Sequence, residues 1–421
     1  MYFLKKSKLK LQHGVKRIAI FEPYIFDRPY GNLHYIAGLF KYHDRERFEL
    51  VLIAPRESEF FRTIESLGGR CICVTAPALL LSFGGKLLKG KIAAKFTTLV
   101  SLVRYNLAIA RELKRERVDV FQCNSIRAVL MAGCGAWIAG CPLVWYVKGE
   151  LANPLLDRIG FHLAKRIVFQ SASYLRLCYP HPSQRKREKL SVVSNGIDLG
   201  EIVRLSDEGH RQLGKELGLR PGWVNFVYLG QISPLKGLNY LLDSMAIVQS
   251  RERVALYLVG DHCAEEYRDY LQALKTAVAK HELQEIHFLG WRPDRLAIVS
   301  LMDGLILPSL SEGAPRSVLE AAALAKPVIA TRLGSTPEMV EDGASGFLVE
   351  PRDSAAMAER ILKLALDRAL RERMGQRGCQ IVHSRYSISR NVASLQRLYT
   401  CVVDRRESPL GDSSFTSDEE A

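Results

Sequence analysis

The residues with the clearest chemical potential lie in one segment, where an apolar run meets a loop that leads into a helix. Residues 304–307 (GLIL) have the character of a buried strand, and the helix is predicted to begin at Pro315. Proline suits the first helical position because the N–H that it lacks has no partner there. Gly313, in the loop, would let the backbone approach a ligand closely. The next amides would point out of a helix N-terminus at the carboxyl edge of a parallel sheet, where α/β folds bind anions; they belong to Arg316, Ser317 and Val318.

Two carboxylates and a lysine accompany this predicted anion site. Glu312 precedes the helix and Glu320 lies within it. Carboxylates only accept hydrogen bonds, so they suit the hydroxyl groups of ribose or sugar rather than the phosphate itself. A second phosphate element begins where the apolar run 226–229 enters the segment 230–237, in which Lys236 could neutralise a diphosphate. Each element alone is a weak signal, but together they predict a site for a phosphorylated, hydroxyl-rich ligand.

The elements that must position these residues alternate along most of the 421-residue chain. Short β-branched runs between residues 17 and 193, and again between residues 225 and 349, are separated by helical stretches, which is typical of βαβ units and parallel sheets. An Asn-Gly turn and a capping aspartate interrupt the pattern at residues 194–198. The predicted parts are a first domain over 1–194, a second over 195–387, a helix at about 388–403 that packs back on the first domain, and a disordered acidic tail over 407–421.

The two halves of the chain differ in charge. The net charge is +14, and residues 1–200 hold 32 Lys and Arg against 15 Asp and Glu, whereas residues 201–421 hold 27 against 30. The positive excess therefore lies in the first half, which suggests an anionic partner such as phosphate, lipid or nucleic acid. Residues 79–116 mix lysines with apolar residues. Two interpretations stay open there: a basic amphipathic helix on an anionic membrane, or a core-facing helix with solvated lysines.

Three observations bear on the compartment. Residues 128–147 carry no charge and reach the length of a membrane span, but Gly140 and Pro142 divide them, so a buried helix followed by a buried strand is the better prediction. Nine scattered cysteines, without a Cys-x-x-Cys pair or zinc-like spacing, are expected to be reduced thiols. The basic first ten residues do not lead into the uninterrupted apolar core of a signal peptide. We therefore expect a cytoplasmic protein.

The C-terminal half resembles the retaining glycosyltransferases of family four, the glycosyl transferases group one. The resemblance rests most on Glu312 and Glu320, with seven residues between them, and on the segment 230–237. Shorter motifs add to it: LYLVGD at 256–261, FLG at 288–290, LPS at 307–309, AAA at 321–323, KPVIAT at 326–331, Gly334, PE at 337–338 and DG at 342–343. They cover about residues 190–385, and the resemblance over residues 1–190 is loose. It implies the GT-B fold, in which two Rossmann-like parallel-sheet domains face each other across a cleft.

The resemblance also implies roles for individual residues. Glu320 would bind the ribose hydroxyls of a nucleotide sugar, Glu312 the transferred sugar, and Lys236 the diphosphate together with backbone amides. Catalytic roles are predicted for Lys236, Glu312 and Lys148. The predicted donor-binding residues are Gly31, Gly230, Gln231, Lys236, Glu312, Gly313, Ala314, Arg316, Ser317, Val318 and Glu320.

Several positions depart from the family pattern, among them residues 122–124 (QCN), which stand where the family often has a histidine motif after the fourth strand. Gln231 stands where the family usually has arginine, which removes a positive charge that Arg316 could supply. Only Gly31 matches the glycine pair that commonly follows the first strand. Lys148 replaces a histidine that in the family lies near the reacting sugar. Lys148 could instead counter the departing phosphate, and Glu150 could contact the acceptor.

The resemblance implies a hexosyltransferase that moves a sugar, with retention of configuration, from a nucleotide-diphosphate sugar to a hydroxyl of a saccharide or lipid-linked acceptor, in cell-surface polysaccharide or glycolipid synthesis. No covalent carboxylate nucleophile is expected. No Asp-x-Asp motif occurs in the chain, so metal independence is predicted, and no cofactor besides the nucleotide sugar is expected. The positive charge of the first half points either to an anionic acceptor or to the inner face of the cytoplasmic membrane that carries a lipid-linked one, and nucleic acid is not expected as a partner.

Two alternatives stay open. A phosphorylase or nucleotide-sugar epimerase of the same fold would use a similar site, because a nucleotide site alone does not determine the reaction. A requirement for a separate sugar acceptor distinguishes these enzymes from a transferase. A non-catalytic protein that binds nucleotide sugars is indicated by Gln231 and the missing histidine. An NAD enzyme is not predicted, since the glycines at 133 and 135 are followed by a third only at Gly140, too late for the dinucleotide fingerprint.

Overall fold

Two parallel β-sheets form the framework of the protein. A computed structural model describes residues 14–24, 31–81, 92–148, 153–202, 206–261 and 267–404. The first sheet has the strand order β3-β2-β1-β4-β5-β6-β7 and the second β10-β9-β8-β11-β12-β13. The strands are β1 (Lys16–Phe21), β2 (Phe48–Ala54), β3 (Arg70–Cys73), β4 (Val120–Cys123), β5 (Leu143–Tyr146), β6 (Arg166–Phe169), β7 (Leu190–Val192), β8 (Val224–Leu229), β9 (Val254–Val259), β10 (Ile286–Gly290), β11 (Gly304–Leu307), β12 (Val328–Thr331) and β13 (Gly346–Val349). Neighbouring strands are parallel throughout both sheets, so the predicted α/β class is confirmed.

Helices cover both faces of each sheet. Those around the first sheet are α1 (Gly31–Tyr42), α2 (Phe60–Ser66), α3 (Ala78–Leu81), α4 (Ile92–Arg115), α5 (Ile126–Ala139), α6 (Pro154–Leu163), α7 (Ala172–Cys178) and α8 (Gln184–Arg187). Those that follow are α9 (Asp207–Glu216), α10 (Leu238–Gln249), α11 (Arg268–Lys280), α12 (Arg295–Leu301), α13 (Arg316–Ala323), α14 (Thr336–Met339), α15 (Ser354–Leu366), α16 (Arg368–Arg385) and α17 (Ile388–Val403). Short 3₁₀ turns occupy Leu199–Glu201 and Pro234–Lys236.

The strand sequences explain why the candidate site lies at one edge of each sheet. In β5 (LVWY) and β9 (VALYLV) every residue is buried, as expected for strands covered on both faces. Polar residues therefore collect where the strands end. The strand order reverses between β1 and β4 in the first sheet and between β8 and β11 in the second. In parallel sheets this reversal opens a crevice at the carboxyl ends of the strands, where ligands bind.

The uncharged stretch 128–147 forms a helix followed by a strand, as predicted; the strand is buried, whereas the helix is buried on one side and exposes Trp137 (76%) and Ile138 (40%). The Ser125 hydroxyl accepts a hydrogen bond from the Ala128 amide and caps α5, and Gly140 ends that helix at a φ of 71°. Strand β5 follows directly. In the described part of the chain, no helix is both long and apolar enough to cross a membrane. The described cysteines are all free thiols.

Two neighbouring segments connect the domains. The Ile197 amide donates to the Tyr386 carbonyl at 2.9 Å, and the Ile388 amide donates to the Ile197 carbonyl at 2.8 Å. The predicted domain boundary between residues 194 and 195 lies next to these two hydrogen bonds. Beyond it α17 packs against α1. The apolar residues of α17 that join the first domain's core are Ile388, Val392, Leu395, Leu398, Tyr399 and Val402. The acidic tail over 407–421 lies outside the described residues.

Candidate active site

Direct hydrogen bonds join the two domains beside the predicted donor loop. The Ser173 amide, at the start of α7, donates to Glu338 Oε1 at 2.5 Å, and the Ser173 hydroxyl donates to the Gly334 carbonyl at 3.3 Å. Gly334 has a φ of +53°, and a Cβ at this position would lie 2.2 Å from the Glu312 carbonyl oxygen. Because only glycine fits this approach, the loop after β12 can hold both the first domain and the Glu312 loop.

The structure brings Lys236 and Glu312 together as an ion pair, although 76 positions separate them in the sequence. Glu312 Oε1 accepts hydrogen bonds from Lys236 Nζ and from the Ser309 hydroxyl, both at 2.6 Å. The Glu312 side chain is 8% exposed, so these two donors replace most of its contact with water. The pair forms because the loops after β8 and β11 touch: Gly237, at a φ of +61°, approaches the Pro308 carbonyl so closely that a Cβ would lie 2.2 Å from it.

The helix predicted to begin at Pro315 begins one residue later. Pro315 is the N-cap, with an extended backbone (φ −69°, ψ 114°), and α13 starts at Arg316. A proline side chain has no acceptor, and no side-chain hydrogen bond caps this helix. The amides at the head of α13 are therefore those predicted, on Arg316, Ser317 and Val318, and they are suited to an anion.

Glu320 is held by two arginines from different helices. Its Oε1 accepts hydrogen bonds from Arg316 at 3.2 Å and from Arg295, in α12, at 3.3 Å. The Glu320 side chain is 6% exposed. Arg295 was not predicted as a site residue, since an arginine near the start of a helix is common in any sequence. Both guanidinium groups bind the same oxygen, and no hydrogen bond to Oε2 is found among the described residues. That oxygen can accept from a ligand hydroxyl.

Lys148 approaches the same region from the first domain. It lies two residues beyond β5, where its Nζ donates to Asn32 Oδ1 at 2.6 Å and sits 3.5 Å from the centroid of the Tyr35 ring. Burial lowers the pKa of Lys148 well below its ordinary value; the negative charge of Glu22 opposes this effect, and the positive charge of Arg316 adds to it. Cations from both domains therefore act on the same part of the cleft.

The other predicted residues take simpler positions. Gly31 is the first residue of α1, and Glu150 lies outside the described residues. The Gly230 amide donates to the Val259 carbonyl at 3.0 Å, and the Gln231 carbonyl accepts from the Tyr228 hydroxyl at 2.6 Å. Gly313 and Ala314 lie in the loop before α13, where the Gly313 carbonyl accepts from the Ser335 amide at 2.8 Å. Among the described residues, no group of three or more His, Cys, Asp or Glu side chains could hold a metal ion.

The two Rossmann-like parallel sheets have the arrangement of the GT-B fold of glycosyltransferases, and comparisons with known proteins agree. Residues 224–367 match the family described as Glycosyl transferases group 1. The resemblance predicted from the motifs is thereby confirmed.

Individual relatives extend the match beyond that region. The chain is 25% identical over 253 residues to the N-acetyl-alpha-D-glucosaminyl L-malate synthase of Bacillus anthracis, covering 60% of this chain and 64% of that enzyme, just under two thirds of its length. It is 24% identical over 320 residues to the UDP-Gal:alpha-D-GlcNAc-diphosphoundecaprenol alpha-1,3-galactosyltransferase of Escherichia coli, covering 73% and 81%.

A solved structure shows the same fold over nearly the whole chain. The Anabaena protein Alr3699/HepE, crystallised in complex with UDP-glucose, superposes with a TM-score of 0.74 and covers 91% of this chain and 99% of its own, at 20% identity. At this low sequence identity the likeness establishes the fold alone. The UDP-glucose is a ligand of the Anabaena protein.

Proposed function

We propose that this protein is a retaining, metal-independent glycosyltransferase that moves a sugar from a nucleotide-diphosphate sugar to a hydroxyl of a saccharide or lipid-linked acceptor, in cell-surface polysaccharide or glycolipid synthesis. One observation carries the proposal: the uncapped N-terminus of α13 lies between the Lys236–Glu312 ion pair and the carboxylate of Glu320. Amides and an ammonium suit a diphosphate, and the carboxylates suit the hydroxyls of ribose and sugar. The relatives that act on nucleotide sugars and on lipid-linked acceptors support the same assignment.

In the proposed reaction the acceptor oxygen forms a bond to the anomeric carbon while the bond from that carbon to the phosphate oxygen breaks. The acceptor proton passes to the leaving phosphate, so no protein base is needed. The barrier comes from charge that develops on the phosphate and on an oxocarbenium-like sugar. The fixed amides of α13 and the Lys236 ammonium stabilise the phosphate charge without reorganising. Glu312, which Lys236 and Ser309 orient, contacts the sugar hydroxyls.

The two cations that act on each other across the cleft favour the same ligand. Arg316 and Lys148 come from different domains, and the repulsion from Arg316 lowers the pKa of Lys148. A diphosphate between them would relieve that repulsion. This arrangement supports the role of Lys148 as the counter-charge to the departing phosphate.

The donor is identified by a binding screen followed by a transfer assay. UDP-, GDP- and ADP-sugars are titrated calorimetrically, in EDTA and in Mg²⁺, and the bound sugar nucleotide is then offered with and without saccharide acceptors. Release of nucleoside diphosphate that requires an acceptor, equal in both buffers, supports the proposal. Conversion of the donor without an acceptor would favour the epimerase, sugar release by phosphate alone the phosphorylase, and binding without turnover the non-catalytic protein.

Replacing Glu320 with glutamine tests the ribose role. The variant keeps the side-chain size but loses the charged acceptor, so we expect the affinity for the nucleoside diphosphate to fall about tenfold, as befits a hydrogen bond to a charged group. Isothermal titration measures the change. Glu341→Gln is the matched control, because Glu341 also binds an arginine, Arg377, at 2.6 Å and 2.8 Å, but outside the site. Equal affinities of the two variants would remove Glu320 from ribose binding.

We also propose that α4 attaches the protein to an anionic membrane. Its inner face contributes Tyr105, Ile109 and Leu113 to the core, as the core-facing interpretation predicts. Its outer face carries an apolar stripe at helical spacing, with Phe96 68%, Leu99 57%, Val103 52% and Leu107 40% exposed. Water covers this stripe in the isolated protein at a cost that insertion into a lipid interface would remove.

The charges on α4 specify which lipid surface fits. The helix carries Lys95, Arg104, Arg111, Lys114 and Arg115 against the single acid Glu112, and it lies in the half of the chain that holds the whole positive excess. Each basic residue near an anionic lipid surface contributes about 1 kcal/mol. An apolar stripe flanked by cations therefore matches an anionic bilayer, the surface that would also present a lipid-linked acceptor.

Vesicle binding tests this surface. The double variant Phe96→Ser, Leu99→Ser is expected to bind phosphatidylglycerol vesicles at least about tenfold more weakly than the unmodified protein, since two inserted side chains are lost. Leu177→Ser is the matched control, because Leu177 is 75% exposed in the same domain but on α7. Cosedimentation measures both variants. Equal binding to phosphatidylcholine and phosphatidylglycerol, or no difference between the variants, would contradict the proposal.

A further inference from the structure

A buried carboxylate that the proposed mechanism does not use lies behind Lys148. Glu22 follows β1 at the reversal point of the first sheet and is 1% exposed. Its Oε1 accepts a hydrogen bond from the Tyr24 amide at 3.0 Å, and its Oε2 accepts one from the Asn32 side-chain nitrogen. The carbonyl oxygen of the same Asn32 side chain accepts from Lys148 Nζ at 2.6 Å. Asn32 therefore links the carboxylate to the ammonium through the two ends of one amide.

This link determines both the orientation and the charge of Lys148. Asn32 can present its carbonyl to Lys148 because Glu22 accepts from its NH₂ group, and an acceptor-only carboxylate allows no other orientation. Burial raises the pKa of Glu22, and the charge of Lys148 is among the influences that lower it again. Burial lowers the pKa of Lys148, and Glu22 opposes that shift. Each group thus helps to keep the other ionised in a site that penalises isolated charges.

A chain of connected polar side chains also lies near the carboxylate. It begins at Asn124, the residue after β4, whose Oδ1 accepts from Gln122 Nε2 at 2.8 Å, and Gln122 Oε1 accepts from the Tyr399 hydroxyl of α17. Asn124, Gln122 and Tyr399 therefore form a polar network beside Glu22 inside the first domain. A site that needed only to fill this space would be apolar, since a buried ionic network is rarely required for stability.

We propose that Glu22 is a positioning residue for Lys148: through the Asn32 amide it holds the Lys148 ammonium in place and charged, so that the donor diphosphate meets a cation from each domain. This inference rests on the proposed function, because it assigns the anion between these cations to the nucleotide donor. Glu22 itself touches neither the donor nor the acceptor. Its partner Lys148 is the residue that contacts the leaving group.

The test follows the affinity for UDP, or for the nucleoside diphosphate that the donor screen identifies, from pH 6 to pH 10 by calorimetry. The groups that face Lys148 are Glu22, Tyr35, Tyr146 and Arg316. Burial raises the pKa of both tyrosines, and arginine stays charged, so Lys148 is the facing group that loses its charge as the pH rises. In Glu22→Gln that loss should begin at a lower pH, because an opposite charge that raised the pKa of Lys148 has been removed. We expect the two affinities to agree within about twofold at the acid end of the range and the variant to bind about tenfold more weakly where the two curves differ most.

Two backgrounds separate positioning from a structural effect. When Lys148 is replaced by arginine, adding Glu22→Gln should not shift the pH dependence of the affinity, since the guanidinium does not titrate in this range. Glu116→Gln is the matched control, because Glu116 is a carboxylate of the same domain that binds Arg70 at 2.8 Å instead of Lys148. A ligand contributes its own titration equally to every variant, so the differences report on the protein.

Each outcome decides the inference. A pH dependence that Glu22→Gln does not move overturns it, as does the same shift in the Lys148→Arg background. Should Glu22→Gln fail to fold by circular dichroism, Asn32→Ala breaks the link by removing both the acceptor of Lys148 and a donor to Glu22, and it must move the dependence in the same direction. Failure of the unmodified protein to bind any nucleotide contradicts the proposed function, and this result differs from normal binding with an unmoved pH dependence.

Discussion

Replacing Lys236 with alanine should lower kcat about 100- to 1,000-fold at saturating donor, the range observed when one preorganised charge-stabilising group is removed from an active site. The ammonium contacts Glu312 Oε1 at 2.6 Å and lies in the turn that precedes α10. In the proposed reaction it faces the phosphate as the bond to the sugar breaks, so its loss raises the barrier more than it weakens donor binding. Steady-state kinetics with the identified donor measures kcat and KM separately.

The same variant should also be less stable, because Glu312 loses its cation, and a second substitution at Glu312 should restore that stability. Without Lys236, the Glu312 carboxylate keeps only the Ser309 hydroxyl as a hydrogen-bond donor among the residues that the structure describes. A buried carboxylate that has lost its cation is unfavourable. In the double variant Lys236→Ala, Glu312→Gln that penalty disappears, so the unfolding midpoint in urea should recover while kcat stays low. A normal kcat for Lys236→Ala at saturating donor would remove Lys236 from the mechanism.

Replacing Gly334 with alanine should have the second large effect, on both stability and turnover. A Cβ here would lie 2.2 Å from the Glu312 carbonyl oxygen and 2.5 Å from that of Gly313, so the loops must separate. We expect a loss of about 2–4 kcal/mol in the free energy of unfolding, as for other overpacked sites. Displacement of Glu312 by even about 1 Å should lower kcat about 100-fold. Urea unfolding and the transfer assay measure the two effects.

Gly343 offers a matched control for this variant. Its φ is +77°, in the same left-handed region, but a Cβ there would meet nothing within 4 Å. Gly343→Ala therefore has the backbone strain without the collision, and about 1–2 kcal/mol of destabilisation with unchanged kcat is expected. If both variants behave alike, the close approach at Gly334 does not matter for the site.

The fold could be predicted from the sequence because its strands are buried on both faces. Runs such as residues 255–259 and 304–307 contain little besides apolar residues, and the polar loops between them mark the ends. The exact first residue of a helix is harder to predict. Proline is compatible with both the N-cap and the first helical position, and only its backbone angle ψ of 114° shows that Pro315 is the N-cap.

Contacts between distant residues could not be predicted in the same way. The Lys236–Glu312 pair depends on two loops that touch because Gly237 fits against Pro308, which no spacing in the sequence reveals. Arg295 and Asn32 were missed because arginine and asparagine near helix starts are common. Glu22 carried one usable signal, a charged residue directly after a buried strand at what proves to be a reversal point of the sheet.

The position of α17 has a consequence for how the protein matures. Residues 388–403 complete the core of the domain that the ribosome synthesises first, and Tyr399 reaches the polar side chains behind Glu22. The first domain therefore cannot finish folding when its own segment emerges, and must wait until the second domain has been synthesised. During that interval the apolar surface of α1 that α17 later covers is open to water. Lys148 and its supporting side chains therefore take their final positions only after α17 has been synthesised, although most of them belong to the part of the chain that is made first.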